Sequence, residues 1–227
     1  MISFKGKHYP KDVILFAVYF YVRYAVSYHD LEEIMAERGV DVDHATLNRW
    51  VIEYGPLLAD EAQKRKRQNA SSWRMDETYV KVKGQWMYLY RAVDKFGKTL
   101  DFMLSERRDE AAAEAFFKQA VGNNGIPEKV VIDKSGANQA GLLNLNLLLW
   151  LLGWWPLIEV LQVKYLNNIV EQDHRFIKKI TRPMKGFKAF HSASATLQAI
   201  EVAHMVRKRQ FGQKGLSPFQ QFAALAG

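Results

Sequence analysis

The sequence predicts a mixed α/β domain preceded by a small all-α domain, and three observations carry that prediction. Apolar residues recur at helical spacing through the first sixty or so residues, then at the two-residue period of strands beyond residue 72. Two glycine-containing turns, at Gly84-Gln85 and at Asp94-Lys95-Phe96-Gly97, separate three strand-like runs. Downstream, helical and strand-like runs alternate, as they do where helices cover a mixed sheet.

Taken in order, Pro10 opens a helix over 11–26. Ser27 can cap a second over 28–38, which Gly39 ends. Asp43 caps a third over 45–54, with Leu47, Trp50, Val51 and Tyr54 as its apolar stripe and Gly55-Pro56 as its stop. Three short helices with a tight turn before the last form a helix-turn-helix pattern, in which the third helix enters the DNA major groove through its early residues. Thr46, Asn48 and Arg49 lie off the buried stripe and are the candidate DNA contacts; a helical bundle without DNA function is the alternative. The run Lys64-Arg65-Lys66-Arg67 with Asn69–Ser72 reads as a basic, polar linker. The expected division is therefore a helix-turn-helix domain over 1–62 and a linker over 63–72.

Strands are expected over 73–82, 86–93 and 98–104. Asp109 then caps an alanine-rich helix to about Val121, and a short strand over 129–132 ends on Asp133. The uncharged stretch 135–158 reads as a buried helix leading into a strand near 158–163, and Trp154 and Trp155 within it read as core. Helices over 164–180 and 191–211 complete a second domain over 73–212, with 213–227 as a C-terminal tail.

Composition narrows the function. The 227 residues contain no cysteine, which excludes disulfides and thiolate metal sites. The net charge of +8 is concentrated at one end. Residues 174–227 hold ten Lys/Arg against Glu201 alone, whereas 1–70 hold ten of each sign. Such one-sidedness favours a polyanionic partner. The apolar run 13–22 lacks a cleavage site and meets Arg23, so it is not a signal peptide. The polar first half of 135–158, and Gly153 and Pro156 beyond it, argue against a membrane span, so no membrane partner is expected.

Three carboxylates stand out by placement. Asp76 lies mid-strand among bulky apolar residues, where an unpaired charge is costly unless a metal takes it. Asp133 ends a strand, where α/β sheets place their sites. Glu171 lies on the helix 164–180, on the arc that also carries Asn167, His174, Arg175 and Lys178, while Ile169, Val170, Phe176, Ile177 and Ile180 share the apolar arc. Asp173, turned about 200° from Glu171, points into the apolar arc and reads as a buried hydrogen-bonding residue. Glu77 alternates to the opposite strand face from Asp76 and reads as structural.

In that order and context, the segments MDETYVKVKGQWMYLYRAVD, IDKSGAN and VKYLNNIVEQDHRFIKKI resemble DDE-type bacterial transposases of the insertion-sequence-six family. The N-terminal FKGKHYPKDVILFAVYFY and AERGVDVDHATLNRWV resemble that family's helix-turn-helix region, and the resemblance fades after about residue 212. It implies a ribonuclease-H-like fold and a catalytic, metal-binding triad of Asp76, Asp133 and Glu171. Lys178 matches the basic residue that such transposases carry seven positions after the glutamate, and with Arg175 is an expected DNA contact. The interval from Asp133 to Glu171 is a few residues longer than the family's usual one, the extra length falling within 142–155.

The resemblance further implies two Mg²⁺ ions, with Mn²⁺ able to substitute. Two such ions about 3.5–4 Å apart can clamp the attacking and leaving oxygens of an in-line phosphodiester displacement. The partners implied are terminal inverted repeats, target DNA and other copies of the chain, at least a dimer, in the bacterial cytoplasm at the nucleoid. A metal-dependent nuclease of the same fold, and a DNA-binding regulator with a non-catalytic dimerising domain, are the alternatives.

Overall fold

The computed structural model describes residues 2–213 and 215–227. In chain order its elements are α1 (Lys11–Arg23), α2 (Tyr28–Ala36), α3 (His44–Arg65), β1 (Ser72–Val82), β2 (Gln85–Asp94), β3 (Thr99–Ser105) and α4 (Glu110–Asn124). There follow β4 (Lys129–Val131), α5 (Gly136–Leu151), β5 (Glu159–Leu161), α6 (Lys164–Thr181), α7 (Phe190–Arg207) and α8 (Pro218–Ala224). They form two compact units. One is Gln68–Arg175; the other joins the residues up to Arg67 with Phe176–Gly227. This grouping departs from the contiguous 73–212 domain expected from sequence, because α7 and α8 pack on the N-terminal helices. The change falls within α6.

In the helical unit, the caps read from sequence are present. Ser27 and Asp30 form a reciprocal capping box at α2, and the Asp43 carboxylate accepts from Thr46 N–H at α3. Gly55-Pro56 does not stop α3, which continues for another three turns to Arg65. An internal proline costs a helix about 3 kcal/mol, and packing beyond it offsets that cost. Leu58, Ala59 and Ala62 are buried beyond it. Gly55 serves that packing, since a Cβ there would lie 2.5 Å from the Ala195 carbonyl oxygen of α7. Of the stretch 213–227, expected as a tail, residues 215–227 also fold into this unit. Ser217 and Gln220 box the start of α8, Phe222 is fully buried against Tyr19, and Ile2 N–H bonds to Ala226 O.

The other unit is a five-stranded sheet in the order β3-β2-β1-β4-β5. β1 to β3 run antiparallel, and β4 and β5 run parallel to β1. This is the ribonuclease-H-like sheet. The first hairpin turns on Lys83 and Gly84, both at positive φ, one residue earlier than expected. Trp73, Met75, Tyr90 and Ala92 face a core shared with Ala113, Phe116 and Phe117 of α4 and Leu142, Leu145 and Leu149 of α5. Side chains alternate across a strand, so Arg74, Asp76 and Thr78 take the other face, with Arg91 opposite Asp76 in the ladder. There Asn167 of α6 donates to the Met75 carbonyl at 3.1 Å.

Candidate active site

The short length of β4 shapes the site. It pairs with β1 only at Ser72, Arg74 and the residue between, so from Met75 onward that edge of β1 has no ladder to β4. Asp133, just past the end of β4, lies near this open edge. Asp76, Glu77 and Asp133 each bring a carboxylate oxygen within 4.8 Å of the other two. Glu77, read as structural from its alternation away from Asp76 along the strand, thus lies within the carboxylate cluster and pairs with Arg108.

The surroundings of the three differ. Asp133 Oδ1 accepts from Ser135 N–H at 3.1 Å and from Asn138 Nδ2 at 3.3 Å, which orients it at the start of α5. Arg108 lies 3.4 Å from both Glu77 Oε2 and Asp133 Oδ2, bridging the two. Beside Asp76 lies His174 of α6, with Nδ1 3.7 Å from Oδ2. Burial, then the charges of Glu77, Asp133 and Glu171, push the Asp76 carboxyl up to about 7. Burial also raises Glu77, against the opposing pull of Arg108.

Glu171 is exposed on α6 and bears on Asp76 through its charge; it is not one of the three carboxylates within 4.8 Å. The helix is placed by two other residues. Asn167 is buried on Met75, and Asp173 accepts a 2.7 Å hydrogen bond from Arg91, itself wholly buried. Asp173 is thus the buried hydrogen-bonding residue expected. The polar arc is less uniform than expected, because Asn167 and His174 are buried while Glu171 and Arg175 are exposed. Lys178 is half-buried. Arg108 lies in none of the resembling segments, and Asn138, although it ends IDKSGAN, carried no assigned role; the fold brings both to Asp133.

The helical unit holds the other charged features. Thr46 Oγ1 donates to Asp43 at 2.7 Å and accepts from Arg49 at 2.6 Å, which holds the Arg49 guanidinium beside the start of α3. Glu32 of α2 accepts from His44 N–H at 3.2 Å and lies beside the His29 and His44 rings, tying α2 to α3. Thr46 and Asn48 are partly exposed and Arg49 is exposed. Elsewhere in this unit a cleft of about 610 Å³ is lined by Arg23, Arg67, Arg207 and Arg209, with no carboxylate among the described residues of its wall. The Arg23 and Arg207 guanidinium carbons lie 5.9 and 5.5 Å from the centre of one ring, Phe176.

Carboxylates converging from β1 and the end of β4 on a ribonuclease-H-like sheet define a phosphoryl-transfer enzyme that uses a divalent metal. A family model described as a DDE domain matches residues 70–210. The chain is 39% identical over 237 residues to the transposase for insertion sequence-like element IS431mec of Staphylococcus aureus strain Mu50, with 99% of each chain covered. Identity and coverage are the same for the Staphylococcus aureus transposase of insertion sequence element IS257 in transposon Tn4003. Among solved structures, the catalytic core domain of BIV integrase aligns at 16% identity and a TM-score of 0.46, covering 69% of this chain and 95% of that one. The chain belongs to the DDE-type bacterial transposases of the insertion-sequence-six family.

Proposed function

We propose that this transposase binds insertion-sequence ends and joins them to target DNA, with Asp76, Asp133 and Glu171 as its catalytic, metal-binding residues. The observation that carries the reading is the largely buried position of Asp76 within 4.8 Å of the Glu77 and Asp133 carboxylates, with its carboxyl pushed up to about 7. Mutual repulsion of that kind is relieved by a hard divalent cation, and the all-oxygen donor set suits Mg²⁺, with Mn²⁺ as substitute. Two ions bound there would supply Lewis acidity at the attacking and leaving oxygens of a phosphodiester displacement.

The chain's own residues hold that arrangement. Asp76 is placed by the β1 ladder and Asp133 by its bonds from Ser135 and Asn138. Glu171 is carried by a helix anchored through Asn167 and Asp173. Glu77 and Arg108 form a bridging ion pair that steadies Asp133. Arg175 and Lys178 contact DNA phosphates, and Thr46, Asn48 and Arg49 read the terminal repeat. The cleft lined by four arginines tracks backbone phosphates. Joining two ends calls for at least two copies of the enzyme, working on DNA in the bacterial cytoplasm.

The test is a Mg²⁺-dependent strand-transfer assay with labelled end DNA. Asp76→Ala, Asp133→Ala and Glu171→Ala should each abolish joining while leaving DNA binding within a few-fold of wild type. Cleavage without joining by the wild-type enzyme would favour a nuclease, and binding alone a regulator.

A further inference from the structure

We propose that the exposed apolar face of α5, together with the turn after it, is the surface through which two copies of this chain associate. From Leu142 onward α5 is apolar apart from Asn144 and Asn146, whose side chains bond to Glu110, Glu114 and the Ile158 backbone. One side, with Leu142, Leu145 and Leu149, is buried in the sheet unit's core. The other leaves five leucines and three tryptophans between residues 143 and 155 exposed, up to 67% at Leu151 and 79% at Trp155. This corrects the expectation of a wholly buried helix with Trp154 and Trp155 in the core. A helix this apolar belongs in an interior, and the single copy supplies one for only half of it.

Area and charge indicate what covers the rest. Counting ~150–250 Å² for a whole tryptophan and ~100 Å² or more for a leucine, the exposed fractions come to on the order of 800 Å² of apolar surface. A stable interface takes about 800 Å² from each partner, whereas the largest apolar patch on a monomer is typically about 300–600 Å². Residues 135–158 contain no charged side chain, so the face offers a charged partner nothing to pair with. Nor does it carry the lysines and arginines of a helix lying on a membrane, and no helix of the described residues is long and apolar enough to cross one.

A second identical face needs no charge complementarity. Leu143, Leu147 and Leu151 form one i, i+4 ridge. Ridges of this kind interdigitate with their own copies about a two-fold axis. The inference deepens the multimer reading above, since two DNA ends require two copies, but its test uses protein alone.

Sedimentation velocity on the full chain, without DNA, at about 1–50 µM decides it. Wild type should sediment as a two-copy species. Leu147→Glu/Leu151→Glu should sediment as one copy, with unchanged circular dichroism and unchanged Mn²⁺ binding by calorimetry. Should that variant misfold, Trp155→Arg, at the most exposed position and outside the helix, should give the same one-copy species. A monomeric wild type, or a folded variant that still pairs, overturns the assignment. So does flotation of wild type with phosphatidylcholine vesicles, which would make the face lipid-binding. Pairing through α5 by an enzyme that joins no DNA would leave this surface standing and remove the transposase reading instead.

Discussion

Asp76→Asn should stabilise the metal-free protein, and only above mildly acidic pH. The Asp76 carboxyl moves from 3.8 to about 7 on folding, chiefly through burial and then through neighbouring carboxylates. Between those two values the native state holds a proton that the unfolded state has lost, so stability falls as pH rises. The contribution is fully present below the unfolded pKa and is lost as pH passes the folded one. About 3 units at roughly 1.4 kcal/mol each set an upper bound near 4 kcal/mol, little reduced by solvent because the side chain is only 17% exposed. Urea unfolding in EDTA should show the gap between Asp76→Asn and wild type widening by about 2–3 kcal/mol from pH 5 to pH 8. Mg²⁺ at pH 8 should then stabilise wild type and leave the variant unmoved, because only the native wild-type site binds it. Parallel pH profiles, or equal stabilisation of both proteins by Mg²⁺, would refute the reasoning.

Breaking the buried Arg91–Asp173 ion pair with Asp173→Ala should cost about 3–5 kcal/mol in urea unfolding, since it removes a carboxylate that compensates a desolvated guanidinium; a cost under 1 kcal/mol would mean the pair does not anchor α6. Arg49→Ala should weaken binding to terminal-repeat DNA by about tenfold or more in fluorescence anisotropy, for a lost base contact of about 1–3 kcal/mol, and unchanged affinity would take α3 out of end recognition. Replacing Arg207 and Arg209 by Gln should lower the slope of log affinity against log salt by about two, near 0.9 for each lost phosphate contact. An unchanged slope would remove the arginine-lined cleft from the DNA path.

Much of the sheet was legible because its signals are local. Alternation marked β1 to β3, Asp109 marked the start of α4, and Asp76 stood out as a charge in an apolar strand. What could not be read depends on partners distant in sequence. Pro56 was weighed against a lone helix, whereas α3 has α7 to pack on. The apolar run 142–155 carried no sign of which side would find a core. Glu77 was assigned by strand alternation, which holds for backbone direction but not for a long side chain beside an edge left open by a three-residue β4. Arg108 lies in no motif and Asn138 only closes IDKSGAN with no role attached, so their bonding to Asp133 followed from the fold.

In the proposed mechanism Glu171 binds metal and Glu77 braces Asp133 through Arg108, although it is Glu77 that clusters with Asp76 and Asp133. Single-turnover strand transfer with pre-cut end DNA in Mn²⁺, comparing Glu171→Gln with Glu77→Gln, separates the two most directly. Glu171→Gln should fall by about a thousandfold or more, some 4 kcal/mol of transition-state stabilisation. Glu77→Gln should stay within about tenfold of wild type, having lost only its pairing with Arg108. Strand transfer surviving in Glu171→Gln while collapsing in Glu77→Gln would contradict the triad and place the third carboxylate on β1.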